Sequence, residues 1–190
     1  NDDRGIEASP ARNIEIKNLT IRNIYRYSGA GSDGVGRGIN INGGSNVRIH
    51  HNTIHDSQRG ILFQLGGGVA PSSGNAIYNN VIYNNSWNIG YAAGDLNVSD
   101  DGAEIHDNDL GVQPLWCTGA SDFYHNEALH VFTQTGSNNT ITHLNVFNNF
   151  VHGQVCPLGA AMNYTALLKF SADIVPAKIE ANIFNNLLVV

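Results

Sequence analysis

The chain of 190 residues has a formal net charge of −6 and only 14% charged residues, which excludes the basic face that nucleic-acid binding requires. No apolar run approaches the ~20 residues of a membrane-spanning helix. Asn is the commonest residue, Gly numbers 21, and Ile, Val, Phe and Tyr supply most of the large apolar surface. That is the composition of many short strands joined by tight turns with positive φ.

In chain order, a short strand opens at Arg4-Gly5-Ile6 and is followed by NIEIKNLTI from Asn13. The pair returns as Arg37-Gly38-Ile39 with NVRIHHNTI from Asn46, and as Arg59-Gly60-Ile61 with NAIYNNVI from Asn75. Later copies lose the Arg but keep the strand: WNIGYA from Trp87 precedes AEIHDNDL from Ala103, ALHVFTQ from Ala128 precedes TITHLNVF from Thr140, and ALLKFSA from Ala166 precedes KIEANIF from Lys178. Alternation of apolar and polar residues on both sides of a central Asn marks two strands meeting at a sharp corner. Each period therefore holds three strands, with the length variation confined to loops.

A repeat of this size with no helical stretch predicts an all-β solenoid. The expected fold is a single domain over 1–190: a right-handed, single-stranded parallel β-helix of about six coils, roughly 29 Å tall at ~4.8 Å per coil. Asn at the second turn of each coil is expected to adopt a left-handed conformation and hydrogen-bond its neighbours as a ladder. His50, His51, His106 and His143 fall at or beside these corners and are read as turn residues rather than metal ligands.

The GIEASPARNIEIKNLTI entry and the NNTI and NNVI segments resemble the pectate-lyase-like superfamily of parallel β-helix repeat proteins, over essentially the whole chain. The resemblance implies architecture more than chemistry, because the fold hosts lyases, hydrolases, epimerases, tailspikes and adhesins. It also implies that a substrate lies along the outside of the first strand of each coil. Here that face is expected to display Arg4, Arg37, Asn40, Asn42, Gln64 and Asn88 as substrate-binding groups, with Lys169, His130 and Arg59 as catalytic candidates. A uronate lyase needs a base for the proton α to the carboxylate and a cation for the developing enolate, roles these three residue types can fill. The stacked Arg4, Arg37 and Arg59 need either carboxylates (Glu7, Asp33 and Asp56 are nearby) or an anionic polymer. A hydrolase needs two carboxyl groups flanking the scissile bond. The carboxylates of AGDLNVSDDG (Asp95, Asp100, Asp101) do not resemble the paired aspartates of polygalacturonases. Asp95, Asn97 and Asp101 in that same segment offer oxygen ligands suited to Ca2+.

Two long loops, 111–127 and 149–165, each carry one cysteine. Stacked on adjacent coils they bring Cys117 and Cys156 within disulfide reach; a frame with an extra corner at His125-Asn126 separates them by two coils. Sequons at Asn18, Asn84, Asn97, Asn138 and Asn163, together with that disulfide, point to an extracellular, secreted glycoprotein. No leader is visible, although a chain opening at Asn1 is consistent with one having been removed. Neither end shows a polar cap and the last residues, NNLLVV, are apolar. The segment is thus read either as the interior of a longer protein or as a unit stacking head to tail into a filament. The functional expectation is an extracellular polysaccharide-binding β-helix with lyase-like cleavage; the alternative is a non-catalytic structural or adhesive β-helix.

Overall fold

The computed structural model describes residues 3–24, 36–66, 71–94, 97–112, 126–133, 138–153, 165–172 and 176–189. The described residues form three parallel sheets that wind around one apolar core. The first sheet stacks Arg4–Ala8, Arg37–Asn42, Arg59–Leu65, Trp87–Ala93, Asn126–Thr133 and Thr165–Ala172 in that order. The third stacks Thr20–Arg22, Thr53–His55, Val81–Tyr83, Asp109–Val112, Phe150–Gly153 and Leu187–Val189. Between them, the second sheet runs from Ala11–Lys17 and Gly44–His50 through Ala76–Tyr78 and Glu104–His106 to Thr140–Phe147 and Lys178–Phe184. The short strands Ser72–Ser73 and Ser99–Asp101 complete its third and fourth coils.

The core is built from columns of like residues. Ile6, Ile39, Ile61, Ile89, Leu129 and Leu168 align across the first sheet. Ile16, Ile49, Ile77, Ile105, Val146 and Ile183 align across the second, and Ile21, Ile54, Ile82, Leu110, Val151 and Leu188 across the third. β-branched side chains hold one staggered rotamer and fit this pleated stack. Ile39, Ile49, Ile54, Ile61, Ile82, Ile89 and Ile105 are completely buried. In the last coil, Ile183, Phe184, Leu187, Leu188 and Val189 are exposed.

The corner between the second and third sheets divides the work between two residues. The first is left-handed: Asn18, His51, Asn79, Asp107, Asn148 and Asn185 have φ of 58, 55, 53, 53, 55 and 55°. The second turns its side chain inward along the axis. Asn52 Nδ2 donates to Asn80 Oδ1 (3.0 Å), Asn80 to Asn108 (3.0 Å), Asn108 to Asn149 (2.9 Å) and Asn149 to Asn186 (2.9 Å). Each amide also donates to a carbonyl of the preceding coil, as Asn108 does to Ile77 O at 2.9 Å. In the first coil Leu19 fills the slot and donates its backbone N–H to Asn52 Oδ1. The sequence reading gave both roles to one Asn; a left-handed backbone and an inward amide fall instead on successive residues. It also read TITHLNVF and KIEANIF as strand–corner–strand. Each is a single second-sheet strand with Asn145 or Asn182 outward, and their corners lie three residues beyond the Asn. Their pairing shifts register between Ile141 and Leu144.

The histidines divide. His50, Tyr78, His106, Phe147 and Phe184 stack as one continuous column of rings on the outside of the corner, with centroids 4.6, 5.0, 4.7 and 5.0 Å apart. His51 is a left-handed corner residue, whereas His143 (φ 50°) is left-handed inside a second-sheet strand, as Asn13 and Asn46 are in the first two coils.

The Arg-Gly-Ile openings acquire a steric explanation. A Cβ at Gly38 would lie 2.6 Å from the carbonyl oxygen of Gly60 and 2.7 Å from Ile54 Cγ2, and Gly5 and Gly60 are equally crowded by the next coil's backbone. Gly38→Ala is therefore expected to cost about 2 kcal/mol by overpacking against backbone that cannot move aside, read as a lower urea midpoint at unchanged slope.

One acid lies inside the core. Asp100 is fully buried; its carboxylate accepts from Tyr91 Oη (2.8 Å) and from Asn75 Nδ2 (3.1 Å). Burial pushes its carboxyl above the ordinary 3.8, and the hydrogen bonds from Tyr91, Ser72 and Asn75 oppose that rise only in part. With the folded value above the unfolded one, the native state holds the extra proton between them. Stability from this group is complete below pH ~4 and declines as pH rises to the folded value. Subtracting the urea-unfolding pH profile of Asp100→Asn from that of the parent should isolate this decline; superimposable profiles would remove the account.

Candidate functional site

The first sheet turns three rows of side chains outward, and register decides what meets what. The first row reads Arg4, Arg37, Arg59, Trp87, Glu127 and Ala166. The second reads Glu7, Asn40, Leu62, Gly90, His130 and Lys169, and the third Asn42, Gln64, Ala92, Phe132 and Ser171. Alternation puts the second and third rows on one face. The first row joins them three residues earlier, because two consecutive residues, such as Gly38 and Ile39 or Asn88 and Ile89, are buried between. The stacking brings together residues from distant parts of the chain.

At the first two coils the face is a closed polar network. Arg4 Nη1 lies 2.6 Å from Glu7 Oε2, Asn40 Nδ2 donates to the same Glu7 oxygen at 2.9 Å, and Arg37 Nη1 donates to Asn40 Oδ1 at 2.8 Å. The Arg column is thus compensated in part by Glu7, as anticipated. Asp56 sits at a left-handed turn, 2.7 Å from His55 Nδ1, and accepts from Asn84. Asp33 lies outside the described residues.

Across the third and fourth coils the face becomes apolar. The Arg59 guanidinium lies over the Trp87 ring, 4.3 Å from its centroid. Leu62, Trp87, Ala92 and Phe132 form a buried cluster separate from the main core. Stacking on Trp87 fixes the plane of the guanidinium, and with it the direction of its N–H fork.

The fifth and sixth coils hold the titratable groups. The Glu127 side chain is 0% exposed, and its Oε1 lies 3.0 Å from Lys169 Nζ. Its Oε2 lies 3.2 Å from His130 Nδ1. The other ring nitrogen, His130 Nε2, is 3.1 Å from Ser171 Oγ. Trp87 meets His130 edge-on at 5.2 Å between ring centroids, and Phe132 packs on the imidazole at 4.5 Å. A carboxylate taken wholly out of water must be neutralised, and the Lys169 ammonium supplies that compensation, with the His130 ring beside the other oxygen. The result is an acid–base group set against aromatic walls and linked through Trp87 to a positioned guanidinium.

Of the three residues singled out from sequence, Lys169 and His130 meet at Glu127, and Arg59, two coils from His130, reaches them only through Trp87. Asn42 and Gln64 align on the same face, half-buried. Asn88 does not join them. It occupies the slot that holds Gly38 and Gly60 in earlier coils, is 1% exposed, donates to Gly111 O (2.9 Å) and accepts from Asn85 Nδ2 (3.1 Å). Trp87, not Asn88, takes the outward position, because the strand's outward row starts one residue earlier. Glu127, Trp87, Phe132 and Ser171 were missed. Glu127 was legible in principle, since it falls in the Arg slot once ALHVFTQ is aligned on WNIGYA.

The remaining expectations fall elsewhere. Asn97 is exposed and accepts from Asn138 Nδ2 at 3.2 Å. Asp101 accepts from Thr142 Oγ1 at 2.9 Å and pairs with His143 Nδ1 at 2.6 Å, which lowers the aspartate's pKa and raises the imidazole's. Asp95, Cys117, Cys156 and Asn163 lie outside the described residues. So does most of both long loops, although Gly111, Val112, Asn126, Glu127 and Phe150–Gly153 belong to strands. Asn126 opens a first-sheet strand in register with Thr165, so it is not a corner. Among the described residues no group of three or more His, Cys, Asp or Glu is placed to hold a metal ion, and no helix is long and apolar enough to cross a membrane.

Fold and face together define a parallel β-helix whose chemically able groups gather on the outside of one sheet. The right-handed β-helix region family matches residues 1–120, and the chain belongs to that family. No curated protein and no solved structure shows a significant match.

Proposed function

We propose that this chain is an extracellular β-helix that binds polysaccharide along the outer face of its first sheet and acts on it at His130. The observation that carries this reading is the row of groups on one face: His130 and Lys169 flanking Glu127, with Trp87 against His130 and Arg59 stacked on Trp87. Guanidinium and ammonium groups suit the carboxylates of an acidic polymer, and aromatic rings suit the apolar faces of sugars. With Nδ1 facing Glu127, His130 presents Nε2 as the base that removes a proton α to a uronate carboxylate. Arg59 and Lys169 offset the charge that develops on that carboxylate. The product is an unsaturated sugar end. Asn18, Asn97 and Asn138 are exposed sequon residues, in keeping with a secreted glycoprotein.

The test is incubation with a panel of uronate polymers, with and without calcium, following unsaturated-product absorbance while measuring retention in polymer-containing gels. Retention and product that both fall in His130→Ala support the proposal. Retention without product reduces it to a binding role, and no retention by any polymer ends it.

A further inference from the structure

The hydroxyl of Ser171 has no part in proton abstraction, yet it lies 3.1 Å from His130 Nε2 while Glu127 lies 3.2 Å from His130 Nδ1. The hydroxyl and Nε2 are hydrogen-bonded, whereas the Glu127 carboxylate lies beside Nδ1 without hydrogen-bond alignment. The carboxylate is wholly buried and the imidazole nearly so. A nucleophile, a base and a carboxylate thus follow one another in the order that activates a serine hydroxyl, and such contacts are often poorly aligned until substrate binds. Lys169 and Ser171 are alternate residues of one strand and leave it on the same face, with the Lys169 ammonium 3.0 Å from Glu127 Oε1. The serine is half-buried and reachable from that face. Packing of Phe132 on the imidazole restricts its rotation.

We infer that Ser171, His130 and Glu127 form a serine-nucleophile relay, and that the chain hydrolyses esters. The substrate class, ester groups carried on a polysaccharide, rests on the reading that the polymer lies along this face. Ser171 Oγ attacks the ester carbonyl carbon as its proton passes to His130 Nε2. The bond from carbonyl carbon to the alkoxy oxygen then breaks, and His130 returns the proton to the departing alkoxide, releasing an alcohol and leaving an acyl-serine. Water attacks the acyl-serine and gives its proton to His130. The bond to Ser171 Oγ breaks, the proton returns to that oxygen and a carboxylic acid leaves. Ester and water become acid and alcohol, with no other reactant. Lys169 is the cation beside the developing oxyanion. Glu127 is a positioning residue, acting through the imidazole.

The experiment uses the full chain, a fluorophosphonate probe read by intact mass and peptide mapping, and a chromogenic acetate ester. O-acetylated and methyl-esterified polymers are run in parallel to distinguish acyl groups on sugar hydroxyls from esters of uronate carboxyls. One probe adduct mapped to Ser171, with labelling and ester turnover both lost in Ser171→Ala, is the expected result. Glu127→Gln should slow labelling on the order of 10^4-fold and change its pH profile, which a merely structural role would not do. No adduct on the parent chain, or an adduct unaffected by Ser171→Ala, overturns the inference. Polymer retention is measured on the same samples. Labelling at Ser171 without retention leaves the relay standing and removes the polysaccharide reading; retention without labelling does the reverse.

Discussion

Asn108→Ala should lower stability by about 4 kcal/mol, the largest effect expected of any single corner substitution. Asn108 sits in the middle of the inward amide run, 2% exposed. Its Oδ1 accepts from both the backbone N–H and the side-chain amide of Asn80, and its Nδ2 donates to Ile77 O and Asn149 Oδ1. Alanine leaves two buried groups of neighbouring coils, the Asn80 N–H and the Ile77 carbonyl, short of a partner, while Asn80 Nδ2 keeps Ile49 O and Tyr78 O. Each such loss costs about 1–3 kcal/mol, and the lost Asn80–Asn108 and Asn108–Asn149 amide bonds add to it. Asn145→Ala provides the control. Asn145 is an outward strand residue bonded to Asn182 at the surface, and its loss should cost under ~0.5 kcal/mol. Urea unfolding of both variants settles the comparison; equal midpoints would mean that the inward amides are not what holds the coils together.

The second large effect is expected at the buried carboxylate. Lys169→Met should cost about 3 kcal/mol at neutral pH, the lower end for removing one partner of a buried ion pair, because Glu127 keeps His130 beside it. Adding Glu127→Gln to Lys169→Met should restore most of that loss, since no charge then remains to be neutralised. Recovery in the double variant distinguishes the electrostatic account from lost packing of the lysine stem, which Glu127→Gln cannot repair. A double variant no more stable than Lys169→Met would show that packing dominates.

Much of the architecture was legible in the residues. Period-two alternation and recurrent apolar positions place Ile16, Ile49, Ile77 and Ile105 in one column without any structure, because a parallel stack puts like on like. The first four corners were legible for the same reason: a left-handed residue followed by an Asn marks the second to fourth, and Asn18 followed by Leu19 marks the first. The last two were misread. LNVF and ANIF imitate the motif, and alternation alone cannot say whether an Asn between apolar residues faces out along a strand or in at a turn.

The candidate site was legible only by halves. His130 and Lys169 could be suspected as charged or titratable residues on a strand otherwise apolar. Their partners could not be assigned, since Glu127–Lys169 and His130–Ser171 are contacts between coils, set by loop lengths that place Asn126 opposite Thr165. Asn88 shows the same limit: a one-residue difference in where the outward row starts moves a polar side chain from the solvent face to an interior corner.

The repeat, its strand periodicity and its Asn corners thus determined by themselves that this chain would coil into a parallel β-helix. Each of these is a local preference repeated often enough to leave one arrangement that buries the apolar columns. Only the tertiary structure decided that Glu127 lies wholly buried between Lys169 and His130, and that Ser171 meets the far side of the imidazole. Lys169 and Ser171 lie about 40 residues along the chain from Glu127 and His130 and one coil spacing away in space. Register, which no local preference encodes, chose them.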